Sequence, residues 1–289
     1  MGSGMAGRLL SHDFSVSIFN RNQEKARPFA ARGANVADSP REAAMGSGVV
    51  ISMVSDDTAS REVWLGADGA LAGASAGTLV IESSTLTVAW VKELATAAAA
   101  RGCEFLDAPV TGSKPHAESG ELLFLVGGSA TAFETAKPVF SVLGRGAIHL
   151  GPTGSGALMK LINNFLAAVQ TVSFAEALAL IDASGLDREK AISILTEGVP
   201  GSPMLKRVAA RVASGDFTPH FLMRLMAKDV TYALQEAGHV GLQLPTAAAA
   251  LTEFQRAIEE GQGEEDFTAV AQRPNTRGAT VQTNPRSSR

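Results

Sequence analysis

GPTGSGALMKLINN, residues 151–164, divides the chain into two differently patterned halves. From Ala157 onward the apolar residues Leu158, Leu161, Ile162 and Phe165 recur at helical spacing, which predicts a helix with these side chains on its packed side. Lys160 and Asn164 stand at i and i+4 and share a face, and Asn163 borders it. An ammonium beside a carboxamide on such a face suits a substrate with both a carbonyl and an anionic end. Gly154 and Gly156 allow another backbone or a cofactor to approach the helix start closely, where free N–H groups favour anions. The same residues also describe an ordinary first turn with an exposed lysine and an asparagine near a bend, so the rest of the chain must decide.

Upstream, apolar runs at 15–20, 49–54, 78–82, 104–108, 122–126 and 147–150 alternate with helix-forming segments at 23–32, 58–63, 88–101 and 130–143. Strands separated by helices of this length imply crossover units and a mainly parallel sheet. Beyond Gly154 the strand signals stop, and helical patterns follow at 158–184, 188–196, 204–214, 222–240 and 246–260. The expected organisation is an α/β domain over 1–152, an all-α domain over 153–272, and a disordered tail over 273–289, which is rich in Pro, Arg, Ser and Thr and has no apolar anchors.

At 289 residues the chain is long enough for two domains of ordinary size. Its 25 basic and 29 acidic residues leave a net charge of −4, so no general basic field attracts nucleic acid or membrane phosphates. Cys103 is the sole cysteine, which rules out an internal disulfide, and its neighbours supply no cation to activate it. Asp56 and Asp57 lack His or Glu companions at ligand spacing, so helix capping is expected there and no metal is. The five histidines are scattered singly. No apolar run reads as long enough to span a bilayer and no signal peptide is visible, so a cytoplasmic protein is expected.

The front end is unusual. MGSGMAGRLL reads as a helix followed at once by the strand at 15–20, whereas a dinucleotide-binding unit has a buried strand and a G-x-G turn before that helix. Gly2 and Met5 look like the end of such a fingerprint. The expectation is an N-terminally truncated Rossmann-like domain lacking its first strand.

Four ordered motifs carry a resemblance. Asn20-Arg21 with Lys25 is similar to an NRxxxK strand end; residues 107–122 read DAPVTGSKPHAESGEL; Gly154, Gly156, Lys160 and Asn164 match GxGxxxKxxxN; and residues 221–229 read FLMRLMAKD, similar to F-x-x-x-L-x-x-K-D. In these the chain, from Met1 to about Gln272, resembles the β-hydroxyacid dehydrogenases, the group of 3-hydroxyisobutyrate dehydrogenase, tartronate semialdehyde reductase and glyoxylate/succinic semialdehyde reductase. Of the family's opening GLGxMG only Met1-Gly2 is matched. The substrate-loop variant is closer to the PVSGSKKPAEDG form of the glyoxylate/succinic semialdehyde reductases than to the commoner GGxxGA form.

Carbonyl reduction needs a hydride source on one side and a proton source at the oxygen, where negative charge develops; a positioned ammonium meets the second need. Lys160 suits that role, and the resemblance implies that it is the general acid/base, with Asn164 orienting the substrate or the lysine. The turn at 109–113 follows a strand, so its N–H groups and the hydroxyls of Thr111 and Ser113 lie at the sheet's carboxyl edge. The resemblance implies that Thr111, Gly112 and Ser113 hold a substrate carboxylate. Arg21 stands where a carboxylate would bind a free ribose, so an arginine pairing with a 2′-phosphate favours NADPH, with NAD possible. By the same resemblance Met1, Gly2, Asn20, Met53, Val54, Ser84, Thr85 and Lys228 contact the cofactor, Asp229 joins the active-site network and Phe221 shapes the substrate pocket. The expected function is NADPH-dependent reduction of a short aldehyde or keto acid such as glyoxylate or succinic semialdehyde, in a homo-oligomer (dimer or tetramer). The alternatives are an NAD-dependent 3-hydroxyisobutyrate-type dehydrogenase, or an impaired, truncated homologue serving as a binding scaffold.

Overall fold

The computed structural model of the chain describes residues 1–272. The tail expected at 273–289 lies outside the described residues. The first half opens with α1 (Gly2–Leu10), then β1 (Ser17–Ile18) and β2 (Asn35–Val36), which pair in parallel as a small sheet of their own. The larger sheet has the order β3 (Val49–Ser52), β4 (Leu79–Glu82), β5 (Glu104–Asp107), β7 (Leu122–Gly128), β6 (Val110–Thr111), and β8 (Gly144–Gly151) also pairs with β7. Helices α2 (Pro40–Ala44), α3 (Asp57–Leu65), α4 (Ala70–Gly73), α5 (Val88–Ala100), α6 (Lys114–Ser119) and α7 (Ala130–Leu143) lie between the strands.

Strand alternation divides the core between the two sheet faces. Leu79, Ile81, Leu106, Phe124 and Val126 pack with Met5 of α1 and with Ala136 and Phe140 of α7. Val80 and Phe105 pack the other way, against Trp64 of α3 and Trp90 and Leu94 of α5. The sheet is mainly parallel, as expected, with one reversal in it: β3–β4, β4–β5 and β7–β8 pair in parallel, but β7 runs antiparallel to both β5 and β6. Between β5 and β7 the chain forms β6 and the six-residue α6, and β6 pairs antiparallel with β7. Residues 23–32 form two 3-10 turns instead of one α-helix, because Asn22 caps the first, Pro28 removes a donor at the start of the second, and Gly33 ends it at φ 89°.

The second half is helical: α8 (Ser155–Ser184), α9 (Arg188–Glu197), α10 (Pro203–Ser214), α11 (Met223–His239) and α12 (Pro245–Ala257). The 30-residue α8 is long and apolar enough to cross a membrane by length and composition, contrary to the reading that no run is. In the fold it is the helix on which the second half packs: its Ala168 and Val172 join Met226, Val230 and Phe254 in one cluster, and its Phe174 and Leu178 join Leu205 and Val208 in another.

Two residues expected on the packed side of α8, Leu158 and Ile162, turn outward, 42% and 37% exposed. The inner face belongs to Gly156, Ala157, Leu161 and Asn164. The reason is close approach: a Cβ on Gly156 would stand 2.2 Å from the carbonyl oxygen of Leu125 and 2.8 Å from that of Asp107. Gly156→Ala therefore forces the helix start off the sheet and costs about 3 kcal/mol, the upper part of the overpacking range. Urea unfolding of the variant beside the parent measures it.

Candidate active site

The carboxyl ends of the strands, the start of α8 and the middle of α11 supply the expected site residues. Lys160 is half-buried on α8. Burial lowers its ammonium to about 8; the Asp229 carboxylate opposes that shift and the Lys228 ammonium adds to it. Asn164, one turn on, donates from Nδ2 to Asp229 Oδ2 at 2.6 Å, and Asn163 Nδ2 donates to Asn164 Oδ1 at 3.0 Å. Asp229 is 1% exposed; burial raises its carboxyl above the usual carboxylate range against the pull of Lys228 and Lys160. Its Oδ1 lies 3.0 Å from Lys228 Nζ. Lys228 also donates to the carbonyl of Thr85 at 2.6 Å and lies over the Tyr232 ring, 4.9 Å from its centroid. Two helices of the second half thus meet a loop of the first, and Lys160, Asn164, Lys228, Asp229 and Thr85 form one cluster.

Around it the strand-end loops interlock. The Val54 N–H donates to Ser84 Oγ at 2.7 Å, tying the loop after β3 to the loop after β4. Gly2, the first residue of α1, lies beside Met53: a Cβ there would be 3.7 Å from the Met53 Cβ. Asn20 Oδ1 accepts the Asn22 N–H at 2.9 Å, shaping the turn after β1. Arg21 is exposed and makes no ion pair among the described residues, which leaves its guanidinium available to an anion. Asp56 caps α3 as expected, accepting the Ala59 N–H at 2.8 Å. Its neighbour Asp57 accepts from the Thr87 hydroxyl at 2.6 Å and the Thr87 N–H at 3.0 Å. No group of metal-ligating side chains occurs among the described residues.

The loop at 111–113 is built differently from the expectation. Thr111 ends β6, Gly112 takes φ 111°, and the Ser113 N–H donates to His116 Nδ1 at 3.1 Å, with Ser113 Oγ 3.0 Å from the same nitrogen. The Ser113 amide is therefore engaged within its own helix cap. The Phe221 ring packs edge-on to Phe267 at 5.6 Å, and its N–H donates to Asp266 Oδ2 at 3.1 Å.

Three residues of weight escaped the sequence reading. Glu82, fully buried at the end of β4, accepts from Ser60 Oγ at 2.6 Å, Trp64 Nε1 at 2.8 Å and the Ser84 N–H at 2.8 Å, while burial raises its carboxyl. Asp107, its register partner on β5, accepts the N–H groups of Gly154 and Ala157, each at 2.8 Å. Tyr232 OH accepts the Asp57 N–H at 3.5 Å and its ring backs Lys228. A carboxylate closing an apolar strand was the available signal for the first two; nothing local marks Tyr232.

The residues suit a nicotinamide dinucleotide: parallel strand ends, an unengaged arginine after β1, and small or hydroxyl residues in the loops after β3 and β4. A family model described as the NAD binding domain of 6-phosphogluconate dehydrogenase matches residues 1–151. A second, described as NAD-binding of NADP-dependent 3-hydroxyisobutyrate dehydrogenase, matches residues 154–273. The NAD-dependent L-serine dehydrogenase of Pseudomonas aeruginosa is 36% identical, with 93% of each chain covered. Glyoxylate/succinic semialdehyde reductase 1 of Arabidopsis thaliana is 34% identical, again with 93% of each chain covered. The structure of Mycobacterium tuberculosis 3-hydroxyisobutyrate dehydrogenase with L-serine superposes with a TM-score of 0.86 at 30% identity, covering 94% of both chains. A Rossmann-like NAD(P)-binding domain leads into a helical domain that carries the lysine, and the chain belongs to the β-hydroxyacid dehydrogenase family of NAD(P)-dependent oxidoreductases acting on hydroxyl groups.

Proposed function

We propose that this family member is an NADPH-dependent reductase of short aldehydes and keto acids bearing a carboxylate, such as glyoxylate or succinic semialdehyde, with Lys160 as its general acid. The observation that carries the reading is the Lys160 ammonium, lowered to about 8 beside Asn164 and Asp229. Bound NADPH supplies the hydride to the carbonyl carbon. Lys160 stabilises the charge developing on the carbonyl oxygen and passes its proton there. Asn164, held by Asp229, keeps its carboxamide oriented toward the lysine's face, and Lys228 braces the Thr85 loop. Support for NADPH comes from the unengaged Arg21, and support for the substrate class from the GSKPHAESG loop. The apolar row Leu158, Ile162 and Leu166, exposed along α8, supports a homo-oligomer.

A second reading, NAD-dependent oxidation of a serine-like 3-hydroxy acid, is favoured by the printed activity of the P. aeruginosa relative. A panel of kcat/KM values for glyoxylate and succinic semialdehyde with NADPH and NADH, and for L-serine and 3-hydroxyisobutyrate with NADP and NAD, separates the two. Dominance of L-serine with NAD refutes the first. The pH dependence follows from the lysine. Reduction needs the ammonium and falls as pH rises through about 8, whereas oxidation needs the free amine and rises over the same window. A kcat for reduction that is flat from pH 6 to pH 10, on about the span that brackets this titration, excludes Lys160 as the proton donor.

A further inference from the structure

Gly154, the residue before α8, has no side chain to cap the helix and sits at φ 95°. The cap comes from elsewhere. Asp107, 47 residues earlier at the end of β5, directs Oδ1 to the Gly154 N–H and Oδ2 to the Ala157 N–H, each at 2.8 Å. A local Ser, Thr or Asp at the cap position would have satisfied the Ala157 N–H but not its own. A remote carboxylate does something more, because it pins the helix start to one strand.

That strand leads into the substrate loop: Asp107 is followed by Ala108 and Pro109, and then by β6 at Val110–Thr111. On the other side, Ala157 is one turn ahead of Lys160. The carboxylate's seat leaves no slack. A Cβ on Gly127 would stand 2.5 Å from Oδ1 and 2.8 Å from Oδ2, and one on Gly156 would stand 3.0 Å from Oδ2. Asp107 is 1% exposed, so this is a desolvated carboxylate between two glycines, satisfied by the helix start.

We propose that Asp107 is a positioning residue for the reaction: it sets the distance between the helix that carries Lys160 and the loop at Thr111–Ser113. It touches neither substrate nor cofactor. The proposal rests on Lys160 being the acid, and its mechanical part, a carboxylate that holds Lys160 in its desolvated place, is measurable without turnover. Burial also pushes the Asp107 carboxyl up to about 6, so the charged form that accepts both N–H groups is the one present at neutral pH.

Asp107→Asn tests it, because a carboxamide keeps the volume but offers one acceptor atom and turns its NH2 toward the other N–H. The expected signature is a fall in kcat of about tenfold or more with cofactor KM within about twofold, as for a reacting group displaced by a fraction of an ångström. The Lys160 titration midpoint, followed by NMR with isotope-labelled lysine, is expected to move toward that of free lysine by about half a unit or more. Gly127→Ala is the second variant. It leaves the charge intact, pushes the carboxylate off its seat and should reproduce both effects, which covers the case in which Asp107→Asn does not fold. A variant that folds with a lower Tm but with unchanged kcat and an unchanged Lys160 midpoint makes Asp107 a stabilising cap only and overturns the proposal. A parent enzyme inactive on every aldehyde and hydroxy acid sinks the proposed function instead, while the NMR midpoints still decide the role of Asp107.

Discussion

Lys160→Ala lowers kcat by about a hundredfold or more, the usual worth of a general acid, while NADPH affinity and the melting temperature stay close to the parent values. The variant removes the proposed proton donor and leaves the Asn164–Asp229–Lys228 contacts in place. The buried charge is a burden on the fold: its ammonium is lowered to about 8 chiefly by desolvation, so alanine does not cost the stability that loss of a favourable ion pair would. Steady-state rates paired with fluorescence titration of NADPH check both halves. Turnover within a few fold of the parent removes Lys160 from the mechanism. A large loss of NADPH affinity assigns it to binding.

Arg21→Asp shifts the NADPH to NADH ratio of kcat/KM toward NADH by about a hundredfold, equivalent to two charge-assisted contacts of roughly 1.5 kcal/mol each. The side chain is exposed at the turn that Asn20 and Asn22 shape, and no carboxylate of the described residues pairs with it. An aspartate there repels a 2′-phosphate and accepts hydrogen bonds from a free ribose. Because the position is exposed and outside every helix and strand, the folded state should be unaffected, which makes the ratio a clean readout. An unchanged ratio means that Arg21 faces solvent in the complex, and the preference for NADPH then has no support at this position.

Much of the architecture is written in periodicity. The alternation of short apolar runs with helical segments stops at Gly154, and the fold changes character there: eight strands precede that residue in the described chain and five α-helices follow it. The i, i+4 spacing put Lys160 and Asn164 on one face without any knowledge of their neighbours. Period and composition determine such matters because they depend on the local backbone and on which side of an element meets water.

What surrounds that face was decided by tertiary structure. Asn164 meets Asp229 from 65 residues away, and Lys228 meets the Thr85 carbonyl from 143 residues away. What the adjacent charges Lys228 and Asp229 meet shows only when α11 is laid across α8. Only packing shows that Asp107 caps α8, that the Ser113 amide is held by His116, and that Leu158 and Ile162 look outward because Gly156 meets the sheet. The sequence alone determined the sequence-local facts: the order of the longer strands and helices, the change from α/β to α, and the pairing of a lysine with an asparagine on one helical face. Which buried carboxylate balances which buried cation was left to the fold, because a long-range hydrogen bond has no period to announce it and exists only once two distant segments have been desolvated together.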